Sequence, residues 1–305
     1  MKLIKSLYRD DCHLYVYRAI AVGDIIEITG VVKKYGDKVA LDGLNLTVHE
    51  GELFGFLGPN GAGKTTTVRC ITSLTNFQEG TIIVDGHDAV KDQVEAKKVM
   101  GLIQQQISLD KDLTIRENMI SHAMYHMMSK KDRDAKIKEL SDYFDLGEYL
   151  DKPVDSLSGG WKKRAAIVCA ALHSPKVLFL DEPTSGLDVN ARRLLWDIIK
   201  MMNQKGTTIF LTTHYIEEAE LLCDRVGIIN HGKIIALDTP AALCESVGKY
   251  AVEYMVDRNT KYRYFKDQDE AKQFASTLDV SNNVLLRRTN LEDVFVELTG
   301  THVGV

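Results

Sequence analysis

Residues 58–65 read Gly-Pro-Asn-Gly-Ala-Gly-Lys-Thr, the spacing G-x-x-x-x-G-K-[ST], between a short apolar run and a helical stretch. That context suits a loop wrapped around phosphate. Glycines let the backbone fold closely on the anion, successive N–H groups and the next helix N-terminus point at it, Lys64 reaches the outer phosphates, and the Thr65 hydroxyl offers Mg²⁺ an oxygen. Gly58, Pro59, Asn60, Gly61, Ala62, Gly63, Lys64, Thr65 and Thr66 are therefore the candidate nucleotide contacts. The plain alternative is a glycine-rich turn with a solvent lysine, and the flanking strand and helix weigh against it.

Residues 177–182 supply matching chemistry, because Val-Leu-Phe-Leu runs into Asp181 and Glu182. A carboxylate at the C-terminal end of a buried strand lies where open α/β sheets bind ligands, so Asp181 suits Mg²⁺, directly or through water. Glu182, one residue on, is placed to polarise a water for attack on a terminal phosphate. Standing alone, the pair would read as a surface acidic dipeptide after a core strand.

These side chains need elements to position them. Residues 25–32 alternate loosely, Leu44, Leu46 and Val48 alternate strictly, and residues 53–57 are mostly apolar, which predicts three strands before the loop. A helix to about residue 74 and a strand over 81–84 closed by Asp85-Gly86 follow. Residues 113–150 set Met119, Met124, Ile137, Leu140, Phe144 and Leu150 among Lys, Asp and Glu, the pattern of a small helical insertion. Apolar strands at 177–180 and 208–212 alternate with helices at 188–202 and 216–223, which calls for a largely parallel sheet covered on both faces. Asn230-His231-Gly232-Lys233 marks a hairpin within 226–237. Beyond Thr239-Pro240 tyrosines and charges dominate, and a helix over 291–298 has Leu291, Val294, Phe295 and Leu298 on one stripe that would cover the appended segment. The expected divisions are an N-terminal extension over 1–24, a phosphate-loop domain over 25–238, and a small C-terminal domain over 239–305, roughly the minimum size that folds alone.

Composition narrows the classes further. With 305 residues and 45% of them apolar, the chain can build about two packed cores. A net charge of −5 leaves no bulk positive field to hold nucleic acid or an anionic membrane surface. No window offers the roughly 20 apolar residues that a spanning helix needs, and Arg9, Asp10, Asp11 and Arg18 interrupt the place of a secretory signal, so the chain is expected in the cytoplasm. Cys12, Cys70, Cys169, Cys223 and Cys244 are widely spaced and fit reduced, mostly buried thiols.

Leu157-Ser158-Gly159-Gly160, just upstream of the acidic strand, completes a set that resembles the ATP-binding subunits of ABC transporters over about residues 25–300. The resemblance implies an α/β fold: a phosphate-loop NTPase core with a mostly parallel sheet, an antiparallel β portion, an inserted α-helical subdomain at about 106–160 and a small α+β C-terminal domain. It implies ATP and Mg²⁺ as cofactors, with two nucleotides sandwiched in a head-to-tail dimer of two copies of the chain. Ser158, Gly159 and Gly160 would meet the nucleotide held by the partner, and Ser158 also suits the N-cap of the next helix. By the same resemblance Tyr35 stacks on adenine, and Gln105, flanked by Gln104 and Gln106, senses the metal and the attacking water. Asp188 links the two ATP sites or caps the next helix, and His214 bridges Glu182, the γ-phosphate and the opposite subunit.

The implied catalytic set is thus Glu182, His214, Lys64 and Gln105, the implied metal set Thr65, Gln105 and Asp181, and the implied activity ATP hydrolysis. Two positions depart from the family pattern: Trp161 stands where glutamine is usual and Gln104 where proline is common. Trp161 is expected at the dimer seam or against the nucleotide. The ending at 291–300 is similar to that of multidrug and daunorubicin-resistance type exporter ATPases. Export of a drug, lipid or similar cargo through separate transmembrane permease subunits follows, docked on the helical insertion near Gln105 at the cytoplasmic face of the cell membrane. No nucleic-acid partner is expected. The other class, a soluble ATP-driven switch on ribosomes or DNA, usually carries two ATP-binding halves, coiled coils or zinc motifs, and this sequence has one half and neither addition.

Overall fold

Two long antiparallel strands, β1 (Asp24–Tyr35) and β2 (Lys38–His49), open a four-stranded sheet in the order β2-β1-β4-β5, with β4 at Glu79–Val84 and β5 at His87–Asp88. These belong to a computed structural model that describes residues 23–257, 259–279 and 283–300. The expected extension over 1–24, apart from its last two residues, and Cys12 lie outside the described residues.

A second sheet carries the chemistry. It contains β3 (Leu53–Leu57), β6 (Met100–Ile103), β7 (Val177–Asp181), β8 (Thr208–Thr213), β9 (Arg225–Asn230) and β10 (Lys233–Asp238) in the order β10-β9-β3-β8-β7-β6. All neighbours are parallel except the β9–β10 hairpin, as the expected α/β fold requires. Every residue of β3, β7 and β8 is buried, which a parallel strand covered on both faces demands. Alternate side chains then split between two cores. Phe54, Phe56, Phe179 and Phe210 face the four-stranded sheet and α1 (Lys64–Ile71), and the Phe210 ring lies 5.4–5.6 Å from the other three. Leu57, Leu178, Leu180, Ile209 and Leu211 face the helical side, with α5 (Gly159–Ala171), α6 (Val189–Gln204) and α7 (Ile216–Leu222). Each of these fully buried side chains contributes about 1.5–3 kcal/mol relative to exposure.

Between β6 and α5 the chain forms the helical insertion, after α2 (Gln93–Lys98) has led into β6. Thr114 and Glu117 close a reciprocal capping box on α3 (Ile115–Tyr125), and Ser129 caps α4 (Lys130–Tyr143). Ile115, Met119, Ala123, Ile137 and Leu140 join the same core as α5, so the insertion is packed on the parallel sheet's helical layer.

Thr239 caps α8 (Pro240–Val247), and β11 (Tyr250–Val256), β12 (Asn259–Phe265) and β13 (Leu285–Arg288) form a third sheet in the order β12-β11-β13, beside α9 (Gln268–Ser276). In α10 (Leu291–Thr299) the stripe does more than cover the appended segment. Leu291, Val294 and Phe295 pack against both α8 and α7 and merge with the helical-side core, whereas Leu298 is 42% exposed. Arg287 clamps the nearly buried Asp293 with two bonds of 2.6 and 2.8 Å, which fixes the start of that helix. Cys70, Cys169 and Cys223 are buried free thiols and Cys244 is half-buried; burial pushes the Cys169 thiol up to about 12 and that of Cys70 to about 11.

Candidate active site

The chain leaves β3 at Leu57 and must turn at once, since β8 and β9 flank that strand on both sides. At Gly58 a Cβ would come within 2.4 Å of the Ile229 carbonyl oxygen, so no side chain fits. Gly63 sits at φ +118°, where an added Cβ would lie 2.8 Å from the Ala40 carbonyl oxygen. Having no side chain, Gly63 leaves the first-turn N–H groups of α1 uncapped, which is the arrangement of a helix end that takes an anion. Lys64 is buried, and its ammonium donates to the carbonyls of Gly58 at 2.8 Å and Pro59 at 3.2 Å.

At the end of β7 the two carboxylates part. Asp181 Oδ1 accepts from the Thr65 hydroxyl at 3.1 Å and from the Thr212 hydroxyl at 2.6 Å. Glu182 takes φ +48°, a left-handed conformation that costs a non-glycine residue on the order of 1 kcal/mol. Its N–H donates to the Thr212 carbonyl and to the Thr212 hydroxyl, both at 3.1 Å, which holds that turn. The buried Glu182 carboxylate then faces three groups. Lys64 Nζ is 3.2 Å from one oxygen, while the Gln105 amide donates to the other at 3.4 Å and His214 Nδ1 lies 3.2 Å from it without hydrogen-bond alignment.

These residues line a cleft of about 640 Å³ together with Tyr35, Asn60, Gly61, Gly63, Thr65 and Thr66. Gly58, Pro59 and Ala62 shape the loop without lining it, and Asp181 joins it through Thr65. The Tyr35 ring is half-exposed at the mouth, with Lys33 Nζ 4.5 Å from its centre. The donor set available to a metal is a hydroxyl, a carboxylate and an amide oxygen, all hard ligands. Among the described residues no group of three or more His, Cys, Asp or Glu forms a cage. That combination suits Mg²⁺ held by few protein atoms plus phosphate, and does not suit zinc.

Four expected residues stand apart from this cleft within one chain. Ser158 caps α5, accepting from the Trp161 N–H at 3.4 Å, and a Cβ on Gly160 would lie 3.1 Å from the Ala191 side chain. Asp188 caps α6, accepting from the Ala191 N–H at 2.9 Å. Ser158, Gly159, Gly160 and Asp188 line no part of the cleft, whereas Ser185 does. Trp161 has neighbours in its own chain. It stacks on Tyr149 at 3.8 Å between ring centres, with the Arg164 guanidinium 4.7 Å from its own, so the ring is engaged inside its own chain.

Two site residues escaped the sequence pattern. Thr212 falls in the strand over 208–212 and in no motif, yet its hydroxyl bonds the Asp181 carboxylate and the Glu182 N–H. Lys163, which no motif singles out, is buried, and its ammonium donates to the Gln105 carbonyl at 2.7 Å. Burial pulls the Lys163 pKa down, against the opposing pull of Asp181 and Glu182.

Residues 41–185 match the ABC transporter family. Nod factor export ATP-binding protein I of Sinorhizobium fredii is 38% identical over 296 residues, spanning 90% of this chain and 86% of that protein. Its counterpart from Burkholderia lata is 38% identical over 300 residues, spanning 90% and 97%. Among solved structures, cbiO1 from Clostridium perfringens, part of the ABC transporter complex cbiONQ, superposes with a TM-score of 0.67 at 27% identity over 73% of this chain and 92% of that one. The ATP-binding cassette MJ0796, a dimer bound to ADP and Pi, gives 0.63 at 27% identity over 70% and 98%.

Proposed function

The chain belongs to the ATP-binding subunits of ABC transporters, as an ATP-hydrolysing exporter subunit, and from that premise we propose how its residues carry out the reaction. One observation carries the proposal: the Glu182 carboxylate is lodged among Lys64, Gln105 and His214, beside a loop whose Thr65 is bonded to Asp181. ATP lies in the cleft with its base on Tyr35 and its phosphates on the N–H groups of residues 58–66 and the start of α1. Lys64 swings from Gly58, Pro59 and Glu182 onto the outer phosphates. Thr65, Asp181 and Gln105 would hold Mg²⁺, which when bound would neutralise phosphate charge. Glu182 accepts a hydrogen bond from the attacking water and aligns it in line, while Gln105 donates to Glu182 Oε2 and His214 sits beside that same oxygen.

Because Ser158, Gly159, Gly160 and Asp188 lie outside their own chain's cleft, they serve the nucleotide of a second copy arranged head to tail. Among the described residues no helix is long and apolar enough to cross a membrane, and we propose peripheral attachment at the cytoplasmic face through separate permease subunits. The helical insertion exposes Met124, Tyr125 and Met127 at the end of α3, an apolar surface suited to that contact. The divisions at 25–238, with its insertion at about 106–160, and at 239–305 complete the proposal. Relatives named for Nod factor export widen the cargo class beyond drugs. No nucleic-acid role is assigned.

Phosphate release from ATP by the full chain tests the reading. Turnover is expected to drop to background when divalent cation is chelated and to return on adding Mg²⁺; equal rates with and without chelator would remove the metal roles of Thr65 and Asp181. Thr212→Val keeps the side-chain volume but leaves the Glu182 N–H and Asp181 each one partner short. It is expected to lower kcat about tenfold, or ~1.4 kcal/mol, with KM for ATP nearly unchanged. A KM effect larger than the kcat effect would show that the hydroxyl matters for binding instead.

A further inference from the structure

Lys163 is the strongest feature that the reaction scheme leaves unused. Its side chain is 6% exposed, yet among the described residues no carboxylate lies within ion-pair distance of it, and the acceptor its ammonium meets there is one backbone carbonyl, that of Gln105, at 2.7 Å. Burying a cation for a single neutral acceptor is unfavourable unless the arrangement is over-determined by its surroundings. Those surroundings are acidic: Asp181 and Glu182 both act on Lys163. Lys64 neutralises Glu182 from the loop side, so Lys163 supplies a second positive charge to the same pair from α5.

Gln105 itself is exposed, in the turn that follows β6, and its amide reaches Glu182 at 3.4 Å. An exposed glutamine has several rotamers and a mobile backbone available, and holding one of them against a carboxylate requires an anchor. The anchor comes from α5, the helix that Ser158 caps. From Ser158 to Lys163 is about 7.5 Å along the axis at 1.5 Å per residue. One rigid helix therefore has its N-terminus at the residues assigned to the partner's nucleotide and a cation on the glutamine of its own site.

We propose that Lys163 is a positioning residue for hydrolysis: its ammonium pins the Gln105 carbonyl, keeps the Gln105 amide on Glu182, and ties that contact to the position of α5. The proposal rests on the functional reading above and concerns how one site senses the placement of the helix that serves the other.

The test uses the full-length chain with Lys163→Met, which keeps an unbranched apolar stem and removes the ammonium, and Lys163→Arg, which keeps a cationic donor. Hydrogen–deuterium exchange is expected to quicken in Lys163→Met over residues 104–109 while the loop at 58–66 is unchanged, and Lys163→Arg is expected to resemble the parent. In steady-state hydrolysis Lys163→Met is expected to lose about 10- to 30-fold in kcat, the scale of one charge-assisted hydrogen bond, with KM for ATP within about twofold. In a Gln105→Ala background the same substitution is expected to cost less than about twofold more, because the two act through one contact. Unchanged exchange over 104–109, an unaltered kcat, or full multiplicative losses in the double variant would each overturn the tether. If the parent chain hydrolysed no ATP, the functional reading would fail, and the exchange experiment alone would decide the tether.

Discussion

Glu182→Gln is expected to bind ATP and to form the two-chain assembly while its turnover falls by about 100- to 10,000-fold, the range for removing a general base. The amide is nearly isosteric with the carboxylate, so the left-handed turn held by the Thr212 contacts to the Glu182 N–H is kept. What is lost is the negative oxygen that would align and deprotonate a water. Lys64 keeps its bonds to the Gly58 and Pro59 carbonyls, so the phosphate loop retains its shape. Phosphate release measures the first outcome, and light scattering with and without ATP measures the second. Turnover above about a tenth of the parent rate would remove Glu182 from the role of base. Failure to assemble with ATP would instead count against the head-to-tail arrangement.

The opposite signature is expected at Lys64. Its ammonium is placed to meet charge that develops on the outer phosphates, and removing one such electrostatic donor typically lowers kcat by about 100- to 1,000-fold. Lys64→Ala also strips Glu182 of a partner at 3.2 Å in a buried setting and leaves two loop carbonyls without their donor. Both ATP affinity and turnover are therefore expected to fall, with no ATP-driven assembly. Calorimetric titration with ATP separates the two variants: Glu182→Gln binds and Lys64→Ala binds at least about tenfold more weakly. Equal affinity in both would mean that Lys64 acts only on the transition state.

The ending at 291–300 resembles drug exporters, but the relatives of 36–38% identity are named for Nod factor export. In the fold, Leu291, Val294 and Phe295 of that ending pack on α7 and α8, so its residue pattern answers to packing inside the chain. A similarity in such a helix carries little about what is exported.

What the amino-acid sequence determined alone is local in character. A period of two in β1 and β2, largely apolar runs in β3, β7 and β8, and capping residues at Ser158 and Asp188 each act over a few residues, so the α/β architecture was legible. The phosphate loop was legible because its glycines, Lys64 and Thr65 fall within eight consecutive residues between a strand and a helix, whereas the carbonyls that crowd Gly58 and Gly63, those of Ile229 and Ala40, come from distant strands. Tertiary structure decided the rest. The Thr212 hydroxyl meets Asp181 across 31 residues and Lys163 meets Gln105 across 58, and no periodicity encodes which distant side chain a parallel sheet and its covering helix bring together. Only the fold turns Trp161 onto Tyr149 and gives Glu182 its positive φ. Only the fold, too, keeps Ser158, Gly159 and Gly160 away from the cleft of their own chain. A motif states which groups are available; the sheet order and the helix that caps it state which of them share a site, because hydrogen bonds form by distance in space and not by spacing along the chain.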